Sequence, residues 1–141
     1  MNNVNLKPVV FGGVVMEGYF IEYINNEVRV WSKKRSKIKR LSIPKSGSAS
    51  YPGFSFSFGP EKVRADVHRV IAENIIAFPK PQGITQKDWK ATPESIKDIM
   101  KTVFFVNHID HDKYNCDVTN LEWVTPKGNS HAYQAHKRAS V

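Results

Sequence analysis

Between Phe54 and Phe78 the hydrophobic period of the chain changes abruptly. Phe54, Phe56 and Phe58 alternate with Ser55 and Ser57, and after Gly59-Pro60 the residues Val63, Ala65 and Val67 alternate with Arg64 and Asp66. Alternation on both sides of a Gly-Pro turn predicts a hairpin with one apolar face. The aromatic stripe reads as core rather than as a base-stacking platform. From Val67 onward the apolar residues Val70, Ile71, Ile75 and Phe78 fall at helical spacing, with Asp66 placed to cap the start and Pro79 to end the helix. On that helix His68, Arg69 and Glu73 are expected to be exposed, with His68 fixing the strand-to-helix junction and contact with DNA or the site as its lesser alternative. A sheet face and a helix face must then share one core, which predicts an α+β fold.

The N-terminal residues read as strands. Val9 to Val15 is apolar and β-branched, interrupted by Gly12-Gly13. Tyr19 to Ile24 and Val28 to Trp31 flank Asn25-Asn26-Glu27, a sound turn because asparagine tolerates positive φ. The steepest charge feature follows. In RVWSKKRSKIKR, from Arg29 to Arg40, the residues Arg29, Lys33, Lys34, Arg35, Lys37, Lys39 and Arg40 are basic and none is acidic. A solvated loop is one reading; a basic strand-and-loop arm laid on phosphates is the other. Residues 44–53 are loop-like, rich in Pro, Gly and Ser.

The whole chain carries the same bias. A formal charge of +8 and a pI near 9.6 over 141 residues point to a polyanionic partner, either nucleic acid or an acidic membrane surface. Forty per cent hydrophobic and 24% charged residues suit a folded chain and not a disordered one. The lone Cys116 excludes an internal disulfide and any Cys-rich structural zinc site. The apolar N-terminal stretch has no basic segment ahead of it and is too short to span a bilayer. The expectation is a soluble, cytoplasmic chain with no membrane partner.

Residues 79–92 read as a connecting segment, with Trp89 either packed down or a surface anchor. Thr92-Pro93 predicts a helix with Pro at its first position, apolar on one side through Ile96, Ile99, Met100 and Val103. Phe104 to Ile109 and Leu121 to Thr125 then predict two antiparallel strands, followed by a helix over Pro126 to Lys137. The polar loop between the strands, Asp110 to Asn120, has to satisfy its own backbone with side chains. Asp110 and Asp112 read as loop caps, Asn120 as a brace near His108, Cys116 as a buried small residue and Trp123 as packing. A histidine with amide oxygens at these spacings suits one divalent cation beside a general base.

These residues carry a resemblance. Val106-Asn107-His108-Ile109-Asp110, Asn120-Leu121-Glu122-Trp123-Val124-Thr125, Asn129 and His131-Ala132-Tyr133 resemble the pattern of the HNH (ββα-metal) endonucleases, in their phage and intron homing-type branch. Upstream, DVHRVIAENIIAFPKP is similar to a segment of the same family, and Glu17 to Ser32 more weakly resembles a small module often found ahead of such nucleases. The resemblance implies metal-dependent hydrolysis of DNA to 5′-phosphate and 3′-hydroxyl ends. It makes His108 the general base, with Asn120 orienting it. It gives Asn107 and Asn129 as oxygen ligands of one divalent cation, Mg²⁺ with Mn²⁺ as an alternative, and leaves Asp110 and His131 as further site candidates. Double-stranded DNA is the implied partner, in the cytoplasm of an infected bacterial host if the chain is phage-encoded. The oligomeric state stays open.

The chain departs from the family pattern at three places. Asn107 stands where well-known members carry aspartate, so two neutral amides would hold the cation weakly without substrate phosphate. His111 and Asp112 replace a glycine and an asparagine, so the turn is expected to differ. The expected organisation is a β-rich basic DNA-binding region at 1–65, a helical connecting segment at 66–103 and an HNH ββα nuclease unit at 104–141. The rival readings are a DNA-binding module with a decayed site and a basic RNA-binding protein.

Overall fold

The computed structural model describes residues 3–34, 37–44 and 51–125. Four strands open the chain and pair antiparallel in sequence order: β1 (Val4–Phe11), β2 (Val14–Ile24), β3 (Glu27–Lys34) and β4 (Lys37–Leu41). The apolar run Val9 to Val15, expected as one interrupted strand, is the end of one strand and the start of the next. Gly12 and Gly13 take φ of +62° and +77° and reverse the chain, so that Val10 faces Val15. Asn25 and Asn26, at φ 53° and 62°, make the next reversal, and Glu27 already belongs to β3. The basic run is a hairpin and not a strand running into a loop: Val30 faces Leu41, and Lys34 faces Lys37.

A second hairpin, β5 (Gly53–Phe58) and β6 (Glu61–Asp66), packs on this sheet as the alternation predicts. Phe56 is fully buried, meets Tyr19 edge-on at 4.6 Å, and the Ser57 amide donates to the Tyr19 hydroxyl at 2.9 Å. The chain then enters α1 (Val67–Asn74). This helix is shorter than its apolar spacing suggests. It leaves helical geometry at Ile75 (φ −121°), before Phe78 and Pro79 are reached. Asp66 stands at the N-cap position without capping, because its carboxylate takes Arg64 at 2.8 Å. His68 and Glu73, expected on the exposed face, are 7% and 3% exposed.

The reason lies in what surrounds α1. Asn74 uses its amide as a strand would, accepting from the Val10 amide at 2.9 Å and donating to the Val10 carbonyl at 2.9 Å. Glu73 accepts from the Gly12 amide at 3.0 Å. The helix therefore covers the outer edge of β1 with side chains, and an edge so covered is closed to other strands. On the helix's other flank, Arg69 donates to the carbonyls of Phe104 at 2.6 Å and Lys101 at 2.9 Å, and its Nε lies 3.4 Å from Glu73.

The stretch after α1 contains α2 (Gln86–Ala91), where a plain connection was expected, and α3 (Glu94–Met100), continued by a 3₁₀ turn at Lys101–Val103. Thr85 caps α2 by accepting from the Asp88 amide at 3.1 Å, and Trp89 is packed down beside Phe78 at 5.8 Å. Pro93 is the N-cap of α3 instead of its first residue, and the apolar side of α3 is largely open, with Ile96 47% and Ile99 56% exposed. The last described elements are β7 (Phe105–His108) and β8 (Leu121–Val124), slightly shorter than predicted, with Asn107 opposite Glu122 and His108 opposite Leu121. The helix expected over Pro126 to Lys137, with Asn129 and His131, lies outside the described residues, as does Arg35.

One core joins these parts. Val9, Ile21 and Val30 of the sheet, Phe56 of the second hairpin, Val70 and Ile71 of α1, and Val118 and Leu121 of the last hairpin belong to a single buried cluster. No helix among the described residues is long and apolar enough to cross a membrane.

Removing Arg69 tests this arrangement. Arg69→Ala leaves the buried Glu73 without its cation and two carbonyls without their donor, and should cost on the order of 3 kcal/mol in urea unfolding. Arg69→Lys should recover only part of that, because an ammonium cannot span both carbonyls. An alanine variant as stable as wild type would contradict a structural role for this guanidinium.

Candidate active site

His108 is the last residue of β7, and the loop that follows is built to hold it. The Ile109 amide donates to the Asn120 carbonyl at 2.8 Å, closing the hairpin just beyond His108. Asn120, 8% exposed, does the rest with its side chain. Its Oδ1 accepts from the Asp110 amide at 3.1 Å, while Nδ2 donates to Asp110 Oδ1 at 3.0 Å and to the Asn115 carbonyl at 2.8 Å. Asp110 takes further bonds from the Asp112 amide at 2.8 Å and Asn115 Nδ2 at 2.7 Å. These bonds, led by the one from Asn115, hold its carboxyl below the usual range.

Asp112 accepts from the Tyr114 amide at 3.0 Å. Both aspartates thus cap the loop, as their spacing suggested. His111 occupies φ 63° where the family pattern has glycine, and its amide donates to the His108 carbonyl at 2.9 Å. Asn120 acts on His108 through the backbone that follows the histidine, bonding to the main chain of both Ile109 and Asp110.

The His108 ring faces a cavity of about 420 Å³ lined by Tyr51, Asp66, His68, Arg69, Asn107 and Lys113, among others. His108 is 7% exposed, and burial lowers its pKa against the opposing pull of Asp110 and Asp112. A neutral imidazole is the form that accepts a proton. Its Nε2 lies 4.0 Å from Cys116 Sγ, which also donates to the Lys113 carbonyl at 3.8 Å. Burial pushes that thiol up to about 11, so Cys116 is a packing group and not a nucleophile.

Three residues here were not among the expected site residues. His68 reaches the cavity from the first turn of α1, its ring 4.9 Å from that of His108. Burial, with His108 adding to it, lowers His68 to about 4. Tyr51, from the Pro/Gly/Ser-rich stretch, stacks over His108 at 6.0 Å and 19°. Glu122, opposite Asn107 in the register, accepts from Asn107 Nδ2 at 2.9 Å, which leaves the amide oxygen as the group for another partner.

The basic residues divide. Arg29 lies 3.3 Å from Glu27 and 4.0 Å from Glu22, and Arg40 also pairs with Glu27. Lys33, Lys34, Lys37 and Lys39 are exposed further along the hairpin and, among the described residues, enter no ion pair of that kind. No cluster of three or more His, Cys, Asp or Glu side chains suited to a metal occurs among the described residues.

The low pKa of His68 has a consequence for stability. The unfolded chain takes up this proton near 6.5, whereas the folded protein resists it to about 4. Protons therefore favour the unfolded state inside that window. The stability tied to a neutral His68 is intact above pH 6.5 and should fall by roughly 3 kcal/mol as pH drops toward 4. Urea midpoints for wild type and His68→Phe across this range check it: the wild type should lose more. Parallel losses would contradict the assignment.

Known proteins resemble this chain over part of its length. A family model described as HNH endonuclease matches residues 101–131. A relative, the uncharacterized HNH endonuclease L245 of Acanthamoeba polyphaga mimivirus, is 29% identical over 117 residues, covering 83% of this chain and 28% of that protein. Among solved structures, one described as DNA binding and cleavage by the HNH homing endonuclease I-HmuI is similar at 25% identity and a TM-score of 0.47, over 83% of this chain and 53% of that one. The chain thus spans little more than a quarter of the curated relative and about half of the solved one. Residues 101–131, which contain the hairpin and loop that hold His108, are similar to the HNH endonucleases.

Proposed function

We propose that this protein is a metal-dependent DNA endonuclease of the homing type, with His108 as the general base. The observation that carries the reading is a buried imidazole, its pKa lowered by burial, facing a 420 Å³ cavity inside the segment that matches the HNH endonucleases. Hydrolysis of a phosphodiester requires a proton acceptor for water near neutral pH. His108 supplies it. Lys113 lines the same cavity and favours an anionic backbone within it.

The side-chain chemistry fits one hard divalent cation, Mg²⁺ or Mn²⁺. The Nδ2 of Asn107 is engaged by Glu122, so its Oδ1 is the atom available as a ligand. Asn129 is the second proposed ligand, from outside the described residues. When bound, the cation would offset charge on the phosphate and the departing oxygen. Asn120 keeps the loop closed and thereby fixes the backbone that follows His108. Asp110, with both carboxylate oxygens already bonded in the loop, serves there and not as a ligand. His131 remains a candidate site group. The products would be 5′-phosphate and 3′-hydroxyl ends.

Double-stranded DNA is the proposed partner, held by the exposed end of the β3–β4 hairpin. Lys33, Lys34, Lys37 and Lys39 carry this role together with Arg35; Arg29 and Arg40 are committed to Glu22 and Glu27.

Two experiments test these roles. Supercoiled plasmid incubated with Mg²⁺ or Mn²⁺ should be nicked by wild type, and His108→Ala should lose about 10²-fold or more of that activity. Equal nicking by both would overturn the role of His108, and no cleavage of any DNA by wild type would favour a DNA-binding module with an inactive site. Replacing Lys33, Lys34, Lys37 and Lys39 together with alanine should weaken duplex binding. It should also flatten the slope of log K against log salt by about 0.9 for each lysine that had neutralised a phosphate. An unchanged slope would show that the hairpin does not lie on phosphate.

A further inference from the structure

A histidine that acts as a base works only if its ring is held, and a hydrogen bond from the second ring nitrogen to a strong acceptor ordinarily does this. His108 lacks such a bond among the described residues. Its side-chain polar contact is Cys116 Sγ at 4.0 Å, at the outer limit even for sulfur. What does surround the ring is aromatic. Tyr51 lies over it at 6.0 Å and 19°, and His68 leans against it at 4.9 Å and 59°. Tyr51 and His68 also touch one another at 4.9 Å, so the three rings form a closed triangle. All three spacings lie within the range of attractive ring contacts.

His68 is an unexpected choice for simple packing. It is 7% exposed, and its buried Nδ1 has no hydrogen-bond partner among the described residues. An apolar side chain in the first turn of α1 would fill the same space without stranding a polar atom. The flat ring has a use here that a branched aliphatic chain does not: it presents a face to His108.

We propose that His68 and Tyr51 are positioning residues that fix the His108 imidazole by ring packing. The inference rests on the reading of His108 as the base. It assigns α1 a part in catalysis, because the helix that docks on β1 also carries one wall of the ring's enclosure. The geometry makes a specific demand: ring shape matters at 68 and 51, and the nitrogens and the hydroxyl do not.

Single-turnover cleavage at saturating protein, with DNA affinity measured on the same preparations, tests this. His68→Ala should slow cleavage by about 10- to 100-fold, the scale of a misplaced catalytic group, with affinity for DNA unchanged. His68→Phe, which keeps a ring and removes both nitrogens, should stay within about threefold of wild type by the same reasoning. Tyr51→Phe should behave like wild type and Tyr51→Ala like His68→Ala. Because Tyr51 is 40% exposed, its alanine variant keeps the test open if His68→Ala fails to fold.

Proton and carbon shifts of the His108 ring should move in both alanine variants and hold in both phenylalanine variants. A His68→Phe protein as slow as His68→Ala would overturn the inference in favour of a nitrogen contact with substrate. Alanine variants at both positions with wild-type rates would overturn it outright. A wild type that cleaves no DNA would instead overturn the reading of the site itself, which keeps the two failures distinct.

Discussion

The last turn of α1 sets where everything else stands. Glu73 and Asn74, adjacent and both buried, bond to the backbone of β1 at Val10 and of the turn that follows it at Gly12. Asn74 supplies a donor and an acceptor in the spacing a neighbouring strand would offer, so the helix is registered against the sheet to one residue. Apolar packing alone would leave it free to slide, since hydrophobic contact has no direction. The cost is a buried carboxylate: desolvation raises the pKa of Glu73 despite Arg69 beside it. Arg69 turns that cost into a second joint, because the same guanidinium grips the carbonyls of Lys101 and Phe104, immediately before β7 begins.

Through this joint a polar network at one end of α1 fixes the strand that ends in His108, and the first turn of α1 places His68 against it. The loop from Asp110 to Asn120 then finishes the site with its own side chains. Such a loop needs partners for its own backbone groups, and the side chains of Asp110, Asp112, Asn115, Asp117 and Asn120 provide several of them. His108, the proposed base, stands at the start of this self-bonded loop and lines an open cavity.

Much of this was legible in the sequence, and the limits have physical causes. Period-two alternation and the Asn25-Asn26 turn identified the β5–β6 and β2–β3 hairpins because strand signals are local, whereas the reversal at Gly12-Gly13 looked like a break in one strand and β3–β4 like a strand and loop. The polarity of the loop after His108 showed that its side chains would be spent internally. Helix α2 was missed because Trp89 is its only buried residue, although Thr85 with Asp88 three residues on was a cap signal. His68 and Glu73 looked exposed because helical spacing shows one apolar face, and α1 is covered on more than one. Arg29 and Arg40 looked available because their partners, Glu22 and Glu27, lie outside the basic run and meet it through the sheet. Glu122 could have been found: once His108 is set opposite Leu121, Asn107 must face it. Tyr51 carried no signal, since nothing local distinguishes a ring in a Pro/Gly/Ser-rich stretch from a solvated one.

Under the proposed function, labour is divided between two places: exposed lysines that would hold duplex DNA and a buried histidine that would act as the base in its cleavage. One measurement tests that division directly, namely single-turnover cleavage of an end-labelled duplex, with binding followed on the same samples, for His108→Ala and for the quadruple lysine variant. The two variants should fail in opposite ways. His108→Ala should bind as wild type does and cleave about 10²-fold more slowly, while the lysine variant should bind more weakly and, once saturated, cleave at the wild-type rate. If His108→Ala cleaves at the wild-type rate, or if each variant loses both properties together, the division is wrong.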